Sequence, residues 1–145
     1  MSNIFIIIII LFTVALVHAV FIPLEFRVNI WFNSFMHAFG GFLAGWFVLA
    51  IWRKGSMSSY VSTPSLLKFL GIVAGVMLIG VLWEFLEFLY VGEKLLNIYS
   101  PLGAYKDTMK DLAMDMAGGV IFAIMIFSAS IYRIFFVRTF GGLSN

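Results

Sequence analysis

Cysteine is absent from this chain, so disulfide bonds, thiolate catalysis and metal ligation by cysteine are all excluded. Charged residues are also scarce. They make up 11% of the 145 residues, whereas soluble globular domains contain about 25%. Hydrophobic residues account for 63%, and the mean hydropathy is +1.08. The sequence therefore predicts a single integral membrane domain rather than a soluble one.

Basic residues give no indication of nucleic-acid binding, although the sequence pI is about 9.0. When the apolar runs are arranged as antiparallel spans, one side of the membrane has five basic residues and no acid. The other side has four basic residues and all seven acids. Membrane lipids are the expected partners and nucleic acid is not, while a homo-oligomer or a membrane-protein partner is left open.

Four stretches are long enough to cross a bilayer, which takes about 20 mainly apolar residues. The predicted spans cover residues 4–22, 29–52, 66–91 and 107–137. Every backbone group must be hydrogen-bonded inside lipid, and the apolar runs lack the period-two alternation of barrel strands, so we expect helices. The predicted fold class is all-α, an integral membrane four-helix bundle over residues 1–145.

The first predicted span and the segment before the fourth one each need a separate interpretation. Residues 4–22 could be a signal peptide, because Val17-His18-Ala19 resembles a cleavage site. No Lys or Arg precedes this run, however, and it is longer than the usual apolar core of about 7 to 15 residues, so a retained helix is favoured. Residues 95–105 contain Pro101 and Gly103, which favours a loop or a short interfacial segment.

Small residues recur at a spacing that allows close contact between membrane helices. They lie in the second, third and fourth spans, as Gly41 and Gly45, Gly71 and Gly75, and Gly118-Gly119.

Polar residues recur every four positions on two spans, at the end of the bundle that contains the acids. The second span has Asn33 and His37, and the fourth has Asp107, Asp111 and Asp115. Residues four apart share a helix face, so each helix presents a polar ladder.

The helical rise of about 1.5 Å per residue sorts the polar side chains of three spans into two layers. The deeper layer, about 10 to 12 Å inside the helix ends by that rise, contains His37, Glu84 and Asp115. The layer nearer water, about 5 to 6 Å inside, contains Asn33, Glu87 and Asp111.

Ionisable groups in mid-membrane cost at least about 2.5 to 3.5 kcal/mol and usually mark a functional path. The candidate catalytic residues, as general acid and base, are His37, Glu84, Asp111 and Asp115. The same four are candidate ligands of a divalent metal. Clustered carboxylates cannot all be anions in a low-dielectric space without counter-charge. Either some are protonated, or cations lie among them, for which the candidates are Arg27, Lys106, Lys110 and a metal ion.

The metal is not identified by the sequence. No HExxH pattern is present; a mixed His and carboxylate set suits Zn, Mn or Fe, and oxygens alone suit Mg or Ca. The candidate substrate-binding residues are Asn33, Glu87 and Asp107. Two of them also have an interpretation without a binding role: Asp107 could be a helix N-cap, and Glu87 could be a side chain that reaches the membrane interface. The whole cluster could also be a structural network that fixes helix register.

Residues 29 to 125 resemble the small VanZ-like and YjdF-like bacterial membrane proteins. The resemblance rests on His37 followed by Gly40-Gly41, on Trp83-Glu84, and on the run from Asp111 through Asp115 to Gly118-Gly119. The chain lacks the arginine that VanZ-like proteins have upstream of the acidic run and has Asp115 where they commonly have asparagine, so the YjdF-like branch is nearer. The resemblance implies a multi-pass protein of the bacterial cell membrane and no particular reaction.

Three functions fit these observations. The favoured one is a pocket in one leaflet that binds or acts on a lipid or lipid-linked headgroup, with or without a metal ion. The alternatives are a component that conducts protons or ions and a non-enzymatic assembly subunit. Basic residues number five on one side and four on the other, which places both termini in the cytoplasm by the positive-inside rule.

Overall fold

The computed structural model describes residues 29–55, 62–98 and 100–140, with side chains for 29–55, 62–89 and 100–128. These residues form three helices: α1 (Ile30–Gly55), α2 (Ser65–Ile98) and α3 (Pro101–Phe140). No strand occurs among them. The described part of the chain is therefore all-helical, as predicted, and contains three of the four predicted spans. The first predicted span, residues 4–22, lies outside the described residues.

All three helices contain a segment that is long and apolar enough to cross a membrane. These segments are Ile30–Gly55, Ser65–Leu89 and Pro101–Ser128. The complete helices α2 and α3 have 34 and 40 residues, which is longer than the roughly 20 residues that the hydrocarbon requires. Both helices therefore continue beyond the apolar layer.

Polar caps and proline fix where the helices begin. The Asn29 side-chain oxygen accepts hydrogen bonds from the backbone N–H groups of Trp31 and Phe32, each at 3.1 Å, as an N-cap does. The Ser100 hydroxyl does the same for α3, accepting from the Gly103 N–H at 3.2 Å. Pro101 then occupies the first helical position, where its missing N–H costs nothing.

The prediction for residues 95–105 is wrong. Helix α2 continues through Ile98 and α3 begins at Pro101, so neither a loop nor a separate interfacial segment of that length exists. Proline and glycine do mark a boundary here, but together with the Ser100 cap they mark the start of a helix. The helix that contains the fourth predicted span therefore begins six residues before Asp107, and Asp107 lies inside α3 rather than at its N-cap.

Contacts between the helices establish an up-down-up arrangement. Along α1 and α3 the contacts advance together, from Gly41 against Asp115 to Gly45 against Phe122. Along α2 they run in the opposite sense, since Gly71 contacts Trp52 and Gly75 contacts Val48. Helices α1 and α3 are thus parallel to each other, and α2 is antiparallel to both.

Glycines let α1 and α3 approach until their backbones touch. A Cβ atom on Gly118 would collide with the carbonyl oxygen of Ala38 and would lie 2.8 Å from the Phe42 nitrogen. A Cβ on Gly41 would collide with the carbonyl oxygen of Asp115. The close helix contact predicted from the small-residue spacing is confirmed at these positions.

Below this contact the bundle has an apolar core. It consists of Ala44, Leu49, Ile72, Val76, Phe122 and Ala123. Phe42 packs against this core, with its ring edge to face with that of Phe122 and the two centroids 5.3 Å apart. Large apolar side chains also cover the outer faces of all three helices, as expected of a surface in contact with lipid chains.

Candidate functional site

Four polar or charged side chains are buried in the described part of the chain, and all lie at one end of the bundle. They are Asn33 and His37 on α1 and Asp111 and Asp115 on α3. Because α1 and α3 are parallel, two polar ladders with the same four-residue spacing face each other rung by rung.

His37 lies at the centre of the cluster and uses both edges of its ring. Its Nδ1 atom is 3.3 Å from Oδ1 of Asp115, and the two side chains are hydrogen-bonded. Its Nε2 atom faces the other way, 3.6 Å from Oδ2 of Asp111 and 3.9 Å from Oε1 of Glu84. One imidazole thus contacts carboxylates from both other helices.

Asp111 is held by residues from two directions. The Asn33 amide donates a hydrogen bond to Oδ2 of Asp111 at 2.8 Å, which joins the outer rungs of the two ladders. The Lys110 ammonium lies 3.3 Å from Oδ1 of Asp111 and 2.6 Å from Oδ1 of Asp107. Lys110 therefore supplies positive charge to the cluster, as the sequence suggested.

Glu84 and Glu87 bring the third helix into the site. They lie one helical turn apart on α2, and both are half-buried. Glu84 is hydrogen-bonded to the side chain of Thr108, which draws α2 toward the first turns of α3. Its other oxygen, Oε1, is buried and accepts no hydrogen bond from the described residues.

A glycine on α2 makes room for Asp115. A Cβ on Gly80 would lie 2.7 Å from Oδ2 of Asp115, so the carboxylate occupies the space that a larger residue would fill. Neither Gly80 nor the role of Thr108 was foreseen from the sequence. The position of Gly80, four residues before Glu84 on the same helix face, was the signal that could have indicated it.

The structure thus brings together all seven residues that the sequence marked for this site. The inner group is His37, Glu84, Asp111 and Asp115; the outer group is Asn33, Glu87 and Asp107. Their catalytic, metal-binding and substrate-binding roles stay predictions.

Negative groups outnumber positive ones in the cluster. Five carboxylates, those of Glu84, Glu87, Asp107, Asp111 and Asp115, accompany one lysine and one histidine. In a buried space such an excess requires either bound protons or an additional cation. One group of side chains has a composition and spacing that could hold a metal ion. It consists of His37, Glu84 and Glu87, one potential ligand atom of each lying within 4.8 Å of the others.

Comparison with known proteins identifies a family. The model of DUF2238, a family described as predicted membrane proteins, matches residues 1–131. The chain belongs to this family. No curated protein and no solved structure matches it.

Membership of DUF2238 agrees with three helices that are long and apolar enough to span a membrane, and it supports contact with membrane lipids. The family description names no substrate, metal or reaction. The finer resemblance to VanZ-like and YjdF-like proteins stays a prediction.

Proposed function

We propose that the cluster is a pocket within one leaflet that binds, or acts on, the phosphate-bearing headgroup of a lipid or lipid-linked molecule. The observation that carries this proposal is the convergence of three helices on His37, with carboxylates of α2 and α3 within 3.3 to 3.9 Å of its ring. Ionisable groups buried at this depth are expensive, and they usually serve a function.

The exposure of the side chains supports access from one side. His37 and Asp111 are 3% exposed and Glu84 is 12% exposed, whereas Lys110 and Asp107 are 25% and 26% exposed. The cluster therefore opens toward the end of the bundle at which α3 begins. A headgroup at the surface of that leaflet would meet Lys110 and Asp107 first.

The chemistry of the lining also suits a phosphate-bearing ligand. Lys110 places an ammonium group at the more exposed rim, where it faces Asp107 and Asp111, and the Asn33 amide is buried beside Asp111. A divalent cation among the carboxylates would balance their charge and could accept a phosphate oxygen. Without such an ion, Nε2 of His37, in a ring oriented by Asp115, would be available as a general base, so the pocket would have the means for proton transfer as well as binding.

Conduction across the membrane is less well supported by the described residues. Beyond Asp115 the buried side chains are apolar, beginning with Ala44 and Phe122 and continuing to Leu49. Leu49 lies 12 residues after His37, which is about 18 Å along the helix. A continuous polar path is therefore absent from the three described helices.

Lipid retention tests the headgroup proposal. We expect native mass spectrometry of the full chain, purified in mild detergent, to show bound phospholipid that is reduced at least fivefold by Lys110→Gln. The matched control is Lys54→Gln, which removes an exposed lysine at the opposite end of α1 and should leave retention unchanged.

The outcomes of that measurement separate the explanations. Bound lipid that millimolar inorganic phosphate displaces would indicate a soluble phosphate ligand instead. Equal retention in all variants, with an unchanged helical circular dichroism spectrum, would contradict the pocket and leave the cluster as a network that fixes helix register.

For location, we propose the bacterial cell membrane with both termini in the cytoplasm, because the side with five basic residues should face inward. The absence of native cysteine makes this simple to test. Cysteines introduced by Ser56→Cys and Ser100→Cys should differ in labelling by a membrane-impermeant maleimide, and only the Ser100→Cys chain should react in intact cells. The reverse pattern would invert the topology.

A further inference from the structure

We propose that the pocket holds a first-row divalent transition metal, ligated by Nε2 of His37 and by the carboxylates of Glu84 and Glu87, while Asp115 positions the imidazole. This inference rests on the pocket proposed above and names the ion that would work in it. The ligand set differs from the one that the sequence predicted, because Glu87 belongs to it and Asp111 and Asp115 do not.

The orientation of the imidazole is the first argument. Nδ1 of His37 is hydrogen-bonded to Asp115, so Nε2, on the opposite edge of the ring, is directed toward Glu84 at 3.9 Å and toward the Asp111 oxygen that accepts from Asn33 at 3.6 Å. Histidines that bind metals almost always donate their second N–H to a carboxylate, a carbonyl or water, which fixes the tautomer that leaves a lone pair for the metal. Asp115 occupies that supporting place.

The second argument concerns which carboxylates have unused capacity. Asp111 accepts a hydrogen bond from Asn33 through Oδ2 and faces Lys110 through Oδ1. Asp115 is engaged with His37. Three buried carboxylate oxygens accept no hydrogen bond from the described residues, namely Oε1 of Glu84, Oδ1 of Asp111 and Oδ2 of Asp115. Oδ1 of Asp111 has the Lys110 ammonium 3.3 Å away and Oδ2 of Asp115 lies against Gly80, whereas Oε1 of Glu84 lies 3.9 Å from Nε2 of His37. Leaving such an acceptor unsatisfied costs about 1 to 3 kcal/mol.

The spacing of the three ligands is the third argument. Glu84 and Glu87 lie three residues apart on one face of α2. Their potential ligand atoms and that of His37 lie within 4.8 Å of one another. Bonds of about 2.0 to 2.2 Å to a metal would require these atoms to approach by about 1 to 2 Å, which rotation of two glutamate side chains can supply.

The donor atoms select the class of ion. Calcium and magnesium prefer all-oxygen sites, whereas an imidazole nitrogen with two carboxylates suits Mn²⁺, Fe²⁺ or Zn²⁺. Two carboxylates and one neutral imidazole would also neutralise the charge of such an ion. The remaining coordination positions would be open to a phosphate oxygen or to water that enters past Lys110.

Binding of Mn²⁺ to the full chain tests this site. The wild-type protein in phosphatidylcholine nanodiscs should bind one equivalent, followed by the loss of the free-ion signal in electron paramagnetic resonance. Electron spin echo modulation should show the ¹⁴N coupling of one imidazole, and Zn²⁺ should displace the ion whereas Mg²⁺ should not. Wild-type protein that binds no Mn²⁺ and no Zn²⁺, or binds Mn²⁺ without the nitrogen coupling, would overturn the proposal.

Variants separate the ligands from the positioning residue. Glu84→Gln and Glu87→Gln should each weaken Mn²⁺ binding at least tenfold, and Glu93→Gln, six residues further along α2, is the matched control and should change it less than twofold. Asp115→Leu should weaken binding by about 10 to 100-fold, the usual effect of losing a supporting hydrogen bond to a ligand histidine.

Asp115→Asn distinguishes positioning from folding. Its amide oxygen can still accept from Nδ1, so this variant should retain the ¹⁴N coupling and lose less affinity than Asp115→Leu. Equal losses in the two Asp115 variants would contradict the positioning role. If the protein retains lipid but binds no metal, the metal site is refuted and the headgroup pocket is not. If it binds metal but retains no lipid, the headgroup pocket is refuted and the metal site is not.

Discussion

Replacing Gly118 with alanine should destabilise the bundle by about 3 kcal/mol, the upper part of the range for overpacking a well-packed interior. The added Cβ would collide with the Ala38 carbonyl and lie 2.8 Å from the Phe42 nitrogen. Both are backbone atoms of α1, and they cannot rotate out of the way as a side chain can. Helix α1 would have to move away from α3 along the whole contact.

Reversible unfolding in mixed detergent and SDS micelles measures this effect. Gly40→Ala is the matched control. Gly40 lies beside Gly41 in the helix that Gly118 contacts, but a Cβ added at Gly40 would meet nothing within 4 Å. This substitution should be neutral or stabilising by about 0.5 to 1 kcal/mol, the gain expected when alanine replaces glycine inside a helix. Similar unfolding free energies for Gly118→Ala and Gly40→Ala would show that the helices do not touch as described.

Removal of the Asp111 carboxylate is expected to have the second large effect. Asp111→Ala would leave the Asn33 amide without its acceptor and would take a counter-charge from Lys110 and a polar neighbour from His37. Breaking a buried charged pair by deleting one partner costs about 3 to 5 kcal/mol. We expect the lower end, about 3 kcal/mol, since polar contacts between membrane helices are individually weak.

The same unfolding assay tests this result. Asp107→Ala is the control, because Asp107 lies on the same helix and also pairs with Lys110. This pair is a quarter exposed, so it should contribute about 1 kcal/mol or less to the free energy of unfolding. A double-mutant cycle with Asn33→Ala would isolate the direct contact, for which we expect about 0.6 kcal/mol, the average for interhelical bonds in membranes. If Asp111→Ala costs no more than Asp107→Ala, the inner cluster is not an electrostatically coupled unit.

The sequence predicted the site better than it predicted the ends of the helices. Spacing along a helix determines its faces, so Asn33 and His37 on one helix could be matched to Asp111 and Asp115 on another before any contact was known. That inference needed only the sense in which the chain crosses the membrane. The predicted start of α3 was wrong by more than one turn, but the match between the two helices did not depend on it, because the polar residues repeat every four positions.

The ends of helices depend on local capping, which the punctuation of the sequence did not resolve. Pro101 and Gly103 were interpreted as breakers, yet Pro101 begins a helix and Gly103 donates to its cap. The sequence also could not show which group each carboxylate contacts. Which oxygens of Asp111 and Glu84 are hydrogen-bonded depends on where Lys110, Asn33 and Thr108 direct their donors, and that is a property of three-dimensional contacts.

The backbone contact between α1 and α3 has a kinetic consequence. Gly41 and Gly118 close the contact between α1 and α3 one turn below His37 and Asp115, with the apolar core beyond them. The more exposed groups of the proposed pocket, Lys110 and Asp107, therefore lie at its other end, from which a ligand would enter. An ion at His37 and Glu84 would lie deeper than a headgroup at Lys110. Binding would then follow a compulsory order, in which the ion enters first and is released last, and a bound headgroup would trap it.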